Sequence, residues 1–183
     1  MLDAYCVRTL ESALKHKLPD GRFLNVSKTR SRIMAAIRGK HTKSTEVALR
    51  MALIRSKISG WRLHATDLLG RPDVFFPLHR VAIFVDGCFW HGCPKCGHVP
   101  KTRTSFWRTK ILRNRARDRV NTRKLRLSNV KVIRIWEHSL SDKRRTIRAL
   151  AKISNALGEA APRRIRPESQ CDKAQGGRRS NRR

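Results

Sequence analysis

Three thiols, two imidazoles and a carboxylate fall within thirteen residues, in the order Asp86-Gly87-Cys88-Phe89-Trp90-His91-Gly92-Cys93-Pro94-Lys95-Cys96-Gly97-His98. Thiolate and imidazole are the donors zinc prefers, and a Cys-x2-Cys step lets two sulfurs reach one ion from a tight turn. With His138 further along, the chain offers five donors, Cys88, Cys93, Cys96, His98 and His138, for a site that needs four. So polar and Gly-rich a loop cannot hold itself by packing, and a fully ligated structural zinc is expected. Cys88 and Cys93 are its firmest ligands, with Cys96 and His98 as alternatives for a third. Free buried thiols or a disulfide are the plainer reading, which the spacing disfavours.

Asp73, Asp86, His91 and Glu46 could do a second kind of chemistry. Phosphodiester hydrolysis commonly uses a carboxylate-held Mg²⁺ to polarise the phosphate and activate water, with an acid or base nearby. Asp73 at a strand edge would hold the metal, and His91 would carry the proton. An isolated Asp after Pro is most simply a turn cap, but Asp86 converging on the same edge favours a site.

The elements that must position these groups are legible from periodicity. Val81 to Val85 is an apolar run that breaks at Asp86-Gly87, a short buried strand feeding the thiol loop. Gly70-Arg71-Pro72 turns the chain into Asp73-Val74-Phe75-Phe76, and Pro77 to Arg80 returns it as a hairpin. Antiparallel pairing then puts Asp73 and Asp86 at the same end. Trp61, Leu63 and Ala65 alternate with Arg62 and His64 as a half-buried strand, and Val130 to Trp136 is a further strand with Ile133 and Ile135 on one face. Thr29 caps a short helix with Ile33, Met34 and Ile37 on its apolar face, ended by Gly39. A second helix starts near Ser44 or Thr45, with Glu46 in its first turn and Val47, Met51 and Ile54 on one face. A long helix covers Ser105 to Leu127 and a last one Ser141 to Leu157, while Leu10 and Leu14 suggest a helical segment before the Pro19-Asp20-Gly21 turn. The order is mixed α/β, a small mixed sheet flanked by helices. Residues 1–26 read as a partly disordered extension, 27–158 as the domain, and 159–183 as a basic disordered tail.

Charge narrows the partner. Lys and Arg number 43 against 13 Asp and Glu, a formal charge of +30 spread along all 183 residues, so a polyanion is needed to offset the self-repulsion. Nucleic acid fits best, with the Arg-rich face of the long helix suited to phosphate contacts. An acidic membrane surface ranks second, and no apolar run approaches the ~18 residues of a spanning helix. The N-terminus lacks an apolar signal region, and five cysteines, three of them clustered, speak for metal in a reducing compartment. Met34, Phe89 and Trp90 are apolar residues in basic surroundings. Core packing is their default, and wedging between base steps is the sharper alternative.

Thr29-Arg30-Ser31, Gly70-Arg71-Pro72-Asp73, Phe84 to Cys93, Pro100-x-Thr102-x-Thr104-x-Phe106-Trp107, Asn114, Arg117-Asp118 and Ile135-Trp136-Glu137 resemble the very-short-patch-repair DNA mismatch endonucleases. The resemblance spans about Ser27 to Leu140. It implies a restriction-endonuclease-like core, a structural zinc, and Mg²⁺-dependent nicking of one strand beside the thymine of a T:G mismatch, the lesion left when 5-methylcytosine deaminates. On the same ground Asp73 binds Mg²⁺, the Val85 carbonyl is a second metal ligand, His91 is the catalytic histidine and Glu46 is the helix glutamate of the active site. Met34, Phe89 and Trp90 match residues that intercalate beside the mismatch. Three departures stand out. Asp86 replaces a second histidine and could bind metal or take part in proton transfer, but not as the same imidazole acid. His138 replaces a cysteine as the final zinc ligand. The stretch from His91 to Pro100 is slightly shorter than in the best-known member.

The expectation is a cytoplasmic, nucleoid-associated monomer that nicks 5′ of the mismatched thymine in double-stranded DNA, with mismatch-repair proteins as further partners and no membrane. A zinc-stabilised DNA-binding protein without catalysis and a restriction-like nuclease on matched DNA are the alternatives.

Overall fold

A computed structural model of the chain describes residues 2–18 and 27–158, without the side chains of 2–5, 30–31 and 33–44. The Pro19-Asp20-Gly21 turn and the basic tail therefore lie outside the described residues, as does the side chain of Met34. Helix α1 (Leu2–Lys17) precedes helix α2 (Lys28–Arg55). Strands β1 (Arg62–Leu63), β2 (Val74–Phe76) and β3 (Val81–Asp86) follow, then helix α3 (Thr104–Leu127), strand β4 (Lys131–Trp136), a 3₁₀ turn at Glu137–Leu140 and helix α4 (Lys143–Leu157).

The strands form one sheet in the order β1-β2-β3-β4. β2 and β3 are the expected antiparallel hairpin, with Val74 opposite Ile83 and Phe76 opposite Val81. β4 joins β3 in parallel after the α3 crossover, with Phe84 opposite Arg134 and Asp86 opposite Trp136. Alternation along the strands divides the side chains into two layers. Val74, Phe76, Val81, Ile83 and Ile135 pack with Leu49 and Leu53 of α2 and Leu150, Ile153 and Leu157 of α4. Phe75, Ala82 and Phe84 pack on the opposite face with Leu125 of α3 and Val130, with Val132 beside them.

That second face determines where the chemistry falls. Asp73 continues the parity of Phe75, Asp86 that of Phe84, and Arg134 that of Val132. At one end of the α3-facing side, an apolar row thus becomes a charged one.

Two helical expectations change. α2 runs unbroken through Gly39. A single interior glycine costs only about 1 kcal/mol, which a 28-residue helix absorbs. On the same helix the core-facing residues are Leu49, Ala52 and Leu53, whereas Val47, Met51 and Ile54 are exposed. Residues at i, i+3 and i+4 share a face, and Leu49 sets the one that meets the sheet. The N-terminal extension carries a helix that packs on α3. Its Glu11 pairs with Arg113 and its Lys17 bonds Ser105. α4 is capped at both ends, by the Asp142 carboxylate on the Arg145 N–H and by Gly158 with φ 74°.

Candidate active site and metal cluster

The loop after β3 folds back on itself at two glycines where a side chain would crowd its neighbours. A Cβ on Gly92, where φ is 61°, would lie 2.7 Å from Ile111 Cγ2, and one on Gly97 would lie 2.5 Å from the Cys93 carbonyl oxygen. The buried Asn114 of α3 ties the loop down by donating from Nδ2 to the Trp90 carbonyl at 2.9 Å. Phe89 and Trp90 meet edge to face at 5.0 Å between centroids and both lean on Trp107, 5.3 and 6.1 Å away. They are half-buried in an aromatic cluster with Phe106 at its far side.

Folding back brings Cys88, Cys93 and Cys96 together with His138, which follows β4. His138 Nδ1 lies 3.3, 3.5 and 3.3 Å from the three sulfurs, and Cys93 Sγ is 3.5 Å from Cys96 Sγ. Zinc bonds of ~2.3 Å to sulfur and ~2.0 Å to nitrogen in a tetrahedron imply donor separations of roughly 3.5–3.8 Å. The four donors thus fit such an ion in type, number and spacing. His98 instead lies with its ring 5.7 Å from Phe89. Burial and the neighbouring thiol of Cys96 push Cys88 up to about 12. Burial also acts to raise Cys93, but the backbone amides of Cys96 and Lys95 outweigh it and hold that thiol low. Three thiolates this close repel one another, and a divalent ion held among them would balance their charge.

The second constellation lies on the α3-facing side. Asp73 Oδ2 accepts the Val85 N–H at 2.6 Å, locking the carboxylate against the end of β3. Its burial raises it to about 6, with the charges of Glu46 and Asp86 adding to the effect and the Val85 amide opposing it. Glu46 of α2 lies with Oε2 3.7 Å from His64 Nε2. His91 Nδ1 is 2.5 Å from Asp118 Oδ2, so Nδ1–H donates to the carboxylate and Nε2 is left for proton transfer. Burial opposes ionisation of Asp118, but the His91 hydrogen bond and the Arg134 charge hold it below the ordinary carboxylate range.

Asp86, 5% exposed, spends both oxygens on Arg134. Nε donates to Oδ2 at 2.7 Å and Nη2 to Oδ1 at 2.5 Å. Arg134 also reaches Asp118 Oδ2 at 3.1 Å and covers the Phe84 ring at 5.2 Å. Asp86 Oδ1 is 3.8 Å from His91 Nδ1. A carboxylate held bidentately by a guanidinium is an anchor, with little capacity to bind metal or accept a proton.

Asp73, Val85, Asp86, His91, Asp118 and Arg134 all line one cleft of about 380 Å³, beside Gly70, Arg71 and Asn121. The acid from the hairpin and the imidazole from the thiol loop therefore face a common space. Asp118 and Arg134 are the members that spacing along the chain did not single out for chemistry. Each left a signal: Asp118 is the sole acid among the cations of α3, and Arg134 interrupts the apolar run of β4.

A strongly basic mixed α/β protein whose cleft joins a metal-type carboxylate to an aspartate-held imidazole has the equipment of a hydrolase acting on nucleic-acid phosphodiesters. The sequence pattern described as DNA mismatch endonuclease Vsr matches residues 25–96. The chain is 42% identical over 112 residues to the type II nicking enzyme V.XorIIP of Xanthomonas oryzae, covering 60% of this chain and 80% of that protein. It is 41% identical over 116 residues to the type II nicking enzyme V.NaeI of Lentzea aerocolonigenes, 60% of this chain and 68% of that one. Against the DNA mismatch endonuclease Vsr of Escherichia coli, identity is 38% over 115 residues, 61% and 71% of the two chains. The chain belongs to the Vsr DNA mismatch endonuclease family and is a DNA endonuclease. Among the described residues no helix is long and apolar enough to cross a membrane.

Proposed function

We propose that the protein is a Mg²⁺-dependent, strand-specific endonuclease that nicks 5′ of the thymine in T:G mismatches and so starts very short patch repair. The observation that carries this reading is the single cleft shared by Asp73 and His91. The likeness to two nicking enzymes and to a mismatch endonuclease supports cutting of one strand.

Asp73 and the Val85 carbonyl would hold the Mg²⁺, which when bound supplies Lewis acidity to the phosphate and to the attacking water. Asp73 fits that task, because a buried carboxylate in the field of two further acids gains from a cation. His91 Nε2 handles the proton of the water or of the leaving oxygen, and Asp118 fixes its tautomer. Glu46 contributes negative charge at Asp73 from α2. Asp86 serves chiefly to hold Arg134 across the cleft wall. Met34, Phe89 and Trp90 pry the duplex at the mismatch, and Cys88, Cys93, Cys96 and His138 would hold a zinc ion that braces the intervening loop. The core is read as restriction-endonuclease-like, the active species as a cytoplasmic monomer with its domain at 27–158.

A nicking assay with Mg²⁺ on T:G and matched T:A duplexes tests the reading. Asp73→Ala and His91→Ala should each cut the T:G substrate at least 10²-fold more slowly. Undiminished cutting by both variants refutes the site, and equal rates on T:A and T:G duplexes refute mismatch specificity.

A further inference from the structure

A second cleft of about 590 Å³ opens from the same wall. It shares Asp86, His91, Asp118 and Arg134 with the catalytic cleft but continues along the outer side of α3. Four arginines of that helix line it, Arg115, Arg119, Arg123 and Arg126, with Trp136 and the 77%-exposed Leu127 beside them. The first three are spaced i, i+4 and i+8, about 6 Å apart along the helix axis, so their guanidinium groups follow one edge of the trough.

Three of these charges lack a carboxylate partner among the described residues. The ion pairs around α3 engage Arg113, Arg117 and Arg134, whereas among the described residues no carboxylate pairs with Arg115, Arg119 or Arg126. Like charges at i, i+4 repel, so Arg115 and Arg119 weaken the helix that carries them unless an anion lies against them. The four arginines are individually exposed, yet they converge on a concave surface rather than fanning into solvent. The trough combines a cationic edge with an apolar patch at Trp136 and Leu127, a surface suited to a chain of phosphates joined by sugars.

We infer that this trough seats the sugar-phosphate backbone of one arm of the DNA substrate. The strand leaves the scissile phosphate at Asp73, crosses the His91–Asp118–Arg134 wall and runs along α3. The inference rests on the proposed endonuclease reading and adds a one-sided backbone clamp to it. Contacts of this kind position the duplex without reading its sequence.

Binding of a fluorescent T:G duplex by the full chain, measured without Mg²⁺ over a range of KCl, tests it. The triple variant Arg115→Gln/Arg119→Gln/Arg126→Gln should show a log Kd against log[KCl] slope shallower by about 2.7, from ~0.9 per lost phosphate contact, and binding weaker on the order of 10²-fold at 0.1 M salt. Its preference for T:G over T:A should stay that of the unaltered chain. On the unaltered chain, trimming one arm of the duplex should lower the slope by a similar amount and trimming the other should not. The triple variant should be indifferent to both. An unchanged slope in a variant that melts like the parent, or equal sensitivity to both arms, overturns the clamp and would leave an acidic protein segment as the occupant to seek. A parent that binds and nicks T:G duplexes while the variant matches it separates this failure from failure of the endonuclease reading.

Discussion

Two clusters with the make-up of metal sites stand at the ends of β3 and β4, and they handle their charge in opposite ways. Cys88, Cys93, Cys96 and His138 converge on one another, with Lys95, Arg145, Arg148 and Lys152 along the adjoining cleft. Asp86, His91 and Asp118 converge equally well, but Arg134 lies against both carboxylates, at 2.5 Å from Asp86 and 3.1 Å from Asp118. A divalent ion held by the first cluster would balance its ionised thiols, whereas the second has a guanidinium hydrogen-bonded to its carboxylates. Donor geometry alone therefore does not identify a metal site. The charge balance around the donors separates a set that could take an ion from a salt-bridge network, and Asp73, raised to about 6 by burial, belongs with the first kind.

Removing the external ion should have the largest effect. Stripping zinc with a strong chelator should unfold the loop and lower the melting temperature sharply, since a structural zinc contributes folding energy directly. Metal analysis should find one zinc per chain in the parent and none in Cys93→Ser. A zinc-free preparation that melts unchanged would erase the contrast. The internally balanced cluster predicts something different. Arg134→Ala leaves Asp86 buried without its partner and should cost about 3–5 kcal/mol in denaturant unfolding, with no response to added divalent ions. Replacing both partners, Asp86→Leu with Arg134→Met, should recover most of that loss. Rescue of Arg134→Ala by Mg²⁺ would instead mean that the carboxylates are a cation site.

The smallest effect concerns Asp73. Its folded-state value of about 6 stands above the ordinary 3.8, so the ionised carboxylate opposes folding of the metal-free chain at neutral pH. Asp73→Asn should abolish nicking and yet raise metal-free stability by about 1–3 kcal/mol above pH 6. That gain should fade as pH falls below 6 and vanish below 3.8, where the carboxylate is protonated in both folded and unfolded states. Equal stability of the two proteins at pH 8 would show that Asp73 is not under the strain ascribed to it.

The hairpin end and the thiol loop were readable because their members lie close along the chain. A turn at Pro77–Arg80 fixes the register of β2 on β3, and that register puts Asp73 at the same end of the hairpin as Asp86. The break expected at Gly39 and the face expected for α2 were misjudged where local signals were weak and the sheet made the choice. Sequence by itself determined the sulfur donors, the acid at the strand head, the polyanionic partner and, through its motifs, the family. Only the tertiary structure decided that Cys96 rather than His98 joins the cluster, that Asp118 holds His91 and that Arg134 occupies Asp86. The physical reason is that these contacts depend on α3 crossing back to lay β4 parallel to β3. No local spacing encodes a pairing between residues about fifty positions apart in the chain.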